Sequence, residues 1–247
     1  MGTSLLKGLS TSDKYTITAC DIDADAREAV SPYVAKTTDD LDEANAADIV
    51  IIAVKPSVVD VILQELSLAA DHTLVTIAAG VSTAHVSAHT DANVIRVMPN
   101  LAAETGNMAA AVTKDNLTDA VRSLLDEVGV YVEIPESQMD IATAVNGSGP
   151  AFVFYLIEAM QTAGINGGLS TEQARILAAQ TFKGAAETVL RSEDTIAELI
   201  EAVCSPNGTT IEGMDVLWDS NADEAIIGAV SAAERRSSEL ATEYSNE

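Results

Sequence analysis

Two short runs of small and hydroxyl-bearing residues carry the clearest chemical signals in the sequence. They are Asn146-Gly147-Ser148-Gly149-Pro150, just ahead of an apolar segment, and Ser205-Pro206-Asn207-Gly208-Thr209-Thr210, followed by Ile211-Glu212. Proline suits a first helical position, where its missing donor is not needed. Two glycines beside a serine let backbone approach a ligand closely. Thr209 and Glu212 have the spacing of a capping box. Each run therefore reads as a turn feeding a helix N-terminus, whose free N–H groups and positive dipole end suit an anion such as a carboxylate. Simple punctuation of a helix start is the other reading of the first run.

Further candidates stand in the first half. Asp21 follows the strand-like Ile17 to Cys20. An acidic side chain at such a strand end bonds the ribose hydroxyls of a dinucleotide and repels a 2'-phosphate, which favours NADH over NADPH. As one of 38 acidic residues, Asp21 reads equally as an ordinary loop residue. At the next strand end, Ala53-Val54-Lys55-Pro56 leaves the sheet, with Pro56 stopping the strand where a cofactor would lie. Lys55 either contacts that cofactor or is solvated. Gly2 precedes a helix-like stretch, Thr3 to Leu9, but a Gly-x-Gly-x-x-Gly loop needs a strand before it, so Gly2 alone says little. His85 and His89 stand one helical turn apart without a third ligand at fitting spacing, so they read as surface residues and no metal is expected. No Gly-x-Ser-x-Gly elbow and no Cys-His arrangement offers covalent catalysis. Phe152, Phe154 and Tyr155 read as core.

The elements that must position these residues differ between the two halves. Up to about Pro135, short β-type runs (Tyr15 to Cys20, Ile49 to Val54, Thr73 to Ala78, Val94 to Met98, Val130 to Ile134) alternate with helix-type segments, which implies a parallel sheet wrapped by helices. The runs at Ile49 and Thr73 are continuously apolar, as strands covered on both faces should be, and belong at the sheet centre. From Ser137 on, segments rich in alanine, leucine and glutamate predict helix throughout. Ser170 and Gln173 form a capping box there, ahead of a stripe of Ala174, Leu177, Ala178, Thr181, Ala185 and Val189. Ala151 to Met160 is apolar almost all round and must be buried on every side, with a partner subunit as its cover.

Composition narrows the partners. With 38 acidic against 13 basic residues the net charge is -25, which repels nucleic-acid backbones and anionic membranes. The acids are spread along the chain, a surface suited to a very salty cytoplasm and hence to a halophile. Cys20 and Cys204 form neither a disulfide framework nor a metal motif, which points to a reducing cytosol. The longest apolar runs fall well short of the ~20 residues that span a bilayer, and no signal peptide is visible.

Together, Ala53-Val54-Lys55-Pro56, Ala78-Ala79-Gly80-Val81, Val94-Ile95-Arg96-Val97-Met98-Pro99-Asn100, Gly147-Ser148-Gly149-Pro150-Ala151 and Ser205-Pro206-Asn207-Gly208-Thr209-Thr210-Ile211 resemble, in order, the motifs of the pyrroline-5-carboxylate reductases. The resemblance implies an α/β protein. A Rossmann-like parallel sheet lacking its first strand occupies residues 1–136, and an all-helical substrate and dimerisation domain occupies 137–247. It also implies hydride transfer from NADPH or NADH to the C=N bond of 1-pyrroline-5-carboxylate, giving L-proline. Gly2, Asp21, Ala53, Val54, Lys55, Pro56, Ala79, Gly80 and Asn100 would then bind the cofactor. Ser148, Ser205, Gly208, Thr209 and Thr210 would bind the substrate, with the Thr210 hydroxyl at the ring nitrogen as the catalytic group and N–H groups around Ser205 and Gly208 to Thr210 holding the carboxylate.

The chain departs from the family pattern in places. Asn146 stands where the family usually has serine, Phe152 where it has tyrosine and Asn207 where it has glycine. Met1 to Leu9 matches the family from the last part of its glycine loop, so the central first strand and the pyrophosphate turn are expected to be absent. A reductase acting on β-hydroxyacids is a rival, but it would need a lysine donor in the helical half, where Lys183 is the only lysine and sits mid-helix. A helical dimer scaffold that has lost cofactor binding is the other.

Overall fold

The computed structural model describes residues 1–245, and by contact it divides into two compact units. The first comprises 1–148 and 230–247, and the second comprises 149–229.

In chain order, the first unit runs α1 (Gly2–Leu9), β1 (Thr18–Cys20), α2 (Ala24–Val30), β2 (Lys36–Thr38), β3 (Ile49–Ile52), α3 (Pro56–Glu65), β4 (Thr73–Thr76), α4 (Thr83–Ser87) and β5 (Asn93–Pro99). It continues with β6 (Met108–Thr113), α5 (Asp119–Asp126), β7 (Gly129–Ile134) and α6 (Met139–Ala142). β1 and β2 pair in parallel as a sheet of their own, and β3-β4-β5-β6-β7 form a second sheet in that order. No hydrogen-bonded ladder joins β1 to β3. The β3–β4, β4–β5 and β6–β7 pairs are parallel, whereas β5 and β6 run antiparallel.

The apolar runs of β3, β4 and β5 are packed from both faces. However, β3, expected at the sheet centre, is the edge strand of its sheet with Ile49 to Ile51 half-buried, and β7 leaves Val130 and Val132 exposed. Successive side chains point to opposite faces. Val75, Ile77, Ile95 and Val97 pack with Leu5 and Leu9 of α1 and Val121, Leu124 and Leu125 of α5. Leu74, Val94 and Ile52 pack with Val59 and Leu63 of α3 and Val86 of α4 on the other side. Two strands escape the sequence reading. β2 is Lys-Thr-Thr, and β6, Met-Ala-Ala-Ala-Val-Thr, is an alanine run that is poor in strand formers and held by its neighbours.

The second unit holds α7 (Gly149–Asn166), α8 (Thr171–Arg191), α9 (Ile196–Val203) and α10 (Thr209–Trp218), and α11 (Ala222–Ser245) begins in it. α8 carries the expected capping box between Ser170 and Gln173. α7 is not buried within the chain: Phe154 and Tyr155 are 65% and 70% exposed, so they are not core residues of a single subunit. The last part of α11 belongs to the first unit, where Ser237 and Ser238 hydroxyls donate to the Asp140 carboxylate at 2.7 and 2.9 Å.

Candidate active site

In the first unit, parallel order carries the carboxyl ends of β3, β4 and β5 to one edge, the place where ligands bind in open α/β sheets. Ala53, Val54, Lys55 and Pro56 leave β3 there. Lys55 is the exposed residue before α3, and Pro56 occupies the first turn. Gly2, the first residue of α1, lies against this turn: a Cβ on Gly2 would stand 3.2 Å from the Ala53 Cβ. Ala79 and Gly80 follow β4. Gly80 has φ +79, which favours glycine, and Ala79 packs with Met98 of β5.

Asn100 directly follows β5 and is 7% exposed. Its Oδ1 accepts from the Ala102 and Ala109 N–H groups at 3.1 and 3.3 Å, so this oxygen ties β5 to β6. Asp21 follows β1 and is exposed. Its Oδ1 accepts from the Asp23 N–H at 2.9 Å, and Asp23 in turn caps α2. Burial, and then the neighbouring carboxylates of Asp21, Asp39, Asp40 and Glu43, push the Cys20 thiol up, which leaves it protonated and a poor nucleophile.

The Asn146 run departs from its expected geometry. Gly147 and Ser148 are not at a free helix start: Thr143–Ser148 form a π turn that follows α6, and α7 begins at Gly149. Pro150 explains the widened turn. Its ring has no N–H to give and would clash with the carbonyl four residues back, at Asn146. π turns are rare and recur at functional sites. Here the turn carries Asn146 to the sheet edge, where its Nδ2 donates to the Met98 and Ala109 carbonyls at 2.7 and 2.9 Å.

In the second unit, Ser205 to Gly208 make a tight turn. Asn207 has φ 59, and the Gly208 N–H donates to the Ser205 carbonyl at 2.9 Å. A Cβ on Gly208 would stand 2.9 Å from the Ser205 carbonyl oxygen, so a side chain there would push against the backbone of the turn. Gly208, not Thr209, precedes α10, and no side-chain cap forms, so the expected Thr209–Glu212 capping box is absent. With the Gly208 amide spent, the free N–H groups of this helix start are those of Thr209 and the residues after it.

A buried ion pair was not foreseen. The Arg96 side chain is 5% exposed and its Nη1 lies 3.3 Å from Glu136 Oε1. Glu136 also accepts from the Thr83 N–H at 2.8 Å and from the Thr83 hydroxyl. The signal available in the sequence was a lone arginine within an apolar strand. His85 and His89 stack at 5.0 Å, with the His85 ring 2.7 Å from Asp60, and no cluster fit for a metal occurs among the described residues. No helix there is long and apolar enough to cross a membrane.

The residues that follow β3, β4 and β5 thus lie at one edge of the sheet, and a buried acceptor, Asn146 Oδ1, has no partner there among the described residues. Residues 136–240 match the family model for pyrroline-5-carboxylate reductase dimerisation, and 1–80 match that for NADP oxidoreductase, coenzyme F420-dependent. The chain is 39% identical over 209 residues to a pyrroline-5-carboxylate reductase of Synechocystis sp., covering 82% of this chain and 78% of the relative. It is 35% identical over 264 residues to that of Methanosarcina acetivorans, covering 97% and 94%. The crystal structure of the Plasmodium falciparum pyrroline carboxylate reductase with NADP bound superimposes with a TM-score of 0.85 at 26% identity, covering 98% and 94% of the two chains. The Coxiella burnetii pyrroline-5-carboxylate reductase gives a TM-score of 0.85 at 29% identity, covering 97% and 94%. By the identity and coverage of these relatives, the chain belongs to the pyrroline-5-carboxylate reductase family.

Proposed function

We propose that this chain reduces 1-pyrroline-5-carboxylate to L-proline, and the observation that carries the reading is the turn into α10. Gly208 closes a turn whose backbone a side chain would push against, and two threonines follow at a helix start with free N–H groups. The substrate is a small ring bearing a carboxylate and a C=N bond. The N–H groups of Thr209 and Thr210 hold the carboxylate with help from the helix dipole, and the Thr210 hydroxyl meets the ring nitrogen and orients it. Ser205 and Ser148 add polar contacts. The reaction needs no nucleophile and no metal.

NADH or NADPH supplies the hydride. Gly2, Ala53, Val54, Lys55, Pro56, Ala79, Gly80 and Asn100 hold it at the strand ends, with Asp21 at the adenosine ribose. The Asp21 carboxylate favours NADH through the ribose hydroxyls, while Arg27, bonded to the Asp21 carbonyl and paired with Asp39, and Lys36, paired with Glu43, offset the other acids there. A clear preference for NADPH at equal concentration would remove that role from Asp21. The dinucleotide-binding part spans 1–136 and the substrate and dimerisation part spans 137–247. The exposed Phe154, Tyr155, Leu190, Val216, Trp218 and Ile227 suit a second copy of the chain.

The charge of -25 suits a halophile's cytoplasm, as do the two unpaired cysteines, Cys20 and Cys204, for a reducing one. Thermal stability should rise steeply with salt, and full stability in dilute buffer would argue against a halophilic origin. The break in the sheet between β1 and β3 favours one second reading, a helical dimer scaffold without cofactor binding. Calorimetric titration with NADH and NADPH separates the two: binding supports the reductase, and no binding supports the scaffold.

A further inference from the structure

Asn146 is oriented by its partners. Its side-chain nitrogen gives both hydrogens to backbone carbonyls, Met98 O at 2.7 Å and Ala109 O at 2.9 Å. Flipping the amide would set its oxygen against two other oxygens, so the orientation is fixed and the atom left over is an acceptor. That atom, Oδ1, is buried without a hydrogen-bond partner among the described residues. A buried carbonyl oxygen left unpaired is costly, and native structures keep such groups for a reason.

Its place narrows the reason. Met98 is the next-to-last residue of β5, and it packs with Ala79 at the end of β4, so Oδ1 lies at the carboxyl edge of the sheet. A rare π turn, Thr143–Ser148, puts it there. Only a donor can complete it. The substrate carboxylate offers acceptors alone and is repelled, and the substrate ring nitrogen is taken by Thr210 in the reading above, which leaves the N–H2 of the nicotinamide carboxamide as the donor.

We infer, resting on the reductase reading above, that Asn146 Oδ1 accepts a hydrogen bond from the carboxamide N–H2 of the nicotinamide cofactor and so fixes which way the ring lies. The residue thereby selects among dinucleotides by the substituent on the ring.

The test removes the donor from the ligand instead of disturbing the protein. In 3-acetylpyridine dinucleotides a methyl group replaces the carboxamide N–H2 at nearly the same shape. Binding of NADH and NADPH, and of the reduced acetylpyridine counterpart of each, is measured by calorimetric titration on the unaltered chain and on Asn146→Ala. The natural cofactor should bind the unaltered chain about tenfold more tightly than its counterpart, the equivalent of one hydrogen bond. Asn146→Ala should bind the two alike. Equal affinities for the unaltered chain overturn the inference, as does an undiminished preference in Asn146→Ala. If the unaltered chain oxidises NADH or NADPH with pyrroline-5-carboxylate yet shows no preference, the inference fails and the reductase reading stands. If no dinucleotide binds at all, both fail.

Discussion

Gly80 lies so close to Ala241 that a Cβ on the glycine would stand 3.1 Å from the Ala241 nitrogen. The loop after β4 and the last turns of α11 thus touch backbone to backbone. Gly80 also has φ +79, where a side chain is strained. Gly80→Ala should cost about 1–2 kcal/mol from backbone conformation alone, and more once α11 is displaced. Chemical denaturation of the variant checks this, and an unchanged midpoint would mean that the contact is not made in solution.

Glu136 is the only ion-pair partner that the described residues give the buried Arg96 guanidinium, and it also holds Thr83 through two hydrogen bonds. Removing it leaves a charge in the core with no counter-charge. Glu136→Ala should lower stability by about 2 kcal/mol, less than for a fully buried pair because Glu136 is partly solvated. The double variant with Arg96→Met should recover part of that loss, which separates an unpaired charge from lost packing.

His72 gives a pH dependence. The Asn45 carbonyl accepts a hydrogen bond from its Nε2 at 3.0 Å, and this chiefly, with the nearby Asp71, raises the imidazole pKa above the ordinary 6.5. A group whose folded pKa is raised adds stability that is fully present below its unfolded pKa and is lost as pH rises through the folded value. His72→Ala should therefore destabilise the chain more at pH 5.5 than at pH 8.5. Equal losses at the two pH values would show that the contact is indifferent to protonation.

Thr210 is the second residue of α10, at a helix start with free N–H groups. With its hydroxyl at the ring nitrogen, Thr210→Ala should lower kcat about 100-fold and leave the circular dichroism spectrum unchanged. Thr210→Ser, which keeps the hydroxyl, should recover most of the rate. Unchanged kinetics in the alanine variant would remove that role.

Much of the fold was legible in residue types. The unbroken apolar runs at Ile49 and Thr73 announced strands covered on both faces, and Ser170 with Gln173 announced the start of α8. The strand Met108–Thr113 was hidden because alanine carries no strand signal of its own, and pairing with β5 and β7 decides it. The candidate site was legible in its residues but not in its shape. Asn146 to Pro150 has the composition of a loop, and only the clash of Pro150 with the turn before it makes a π turn there. The left-handed Asn207 moves the start of α10 to Thr209, so a capping box that looked complete in the sequence never forms. Phe154 and Tyr155 have the composition of core residues but stand exposed on α7, because apolar type alone does not say which face of a helix its own chain covers.

The most direct measurement is the oxidation of NADH and NADPH by the purified chain with pyrroline-5-carboxylate in concentrated salt, followed at 340 nm with L-proline identified as product. Turnover with stoichiometric proline is the expected result. Tight binding of a dinucleotide with no proline formed would contradict the assignment of substrate, and neither binding nor turnover in any salt would contradict the assignment of this chain as a working reductase.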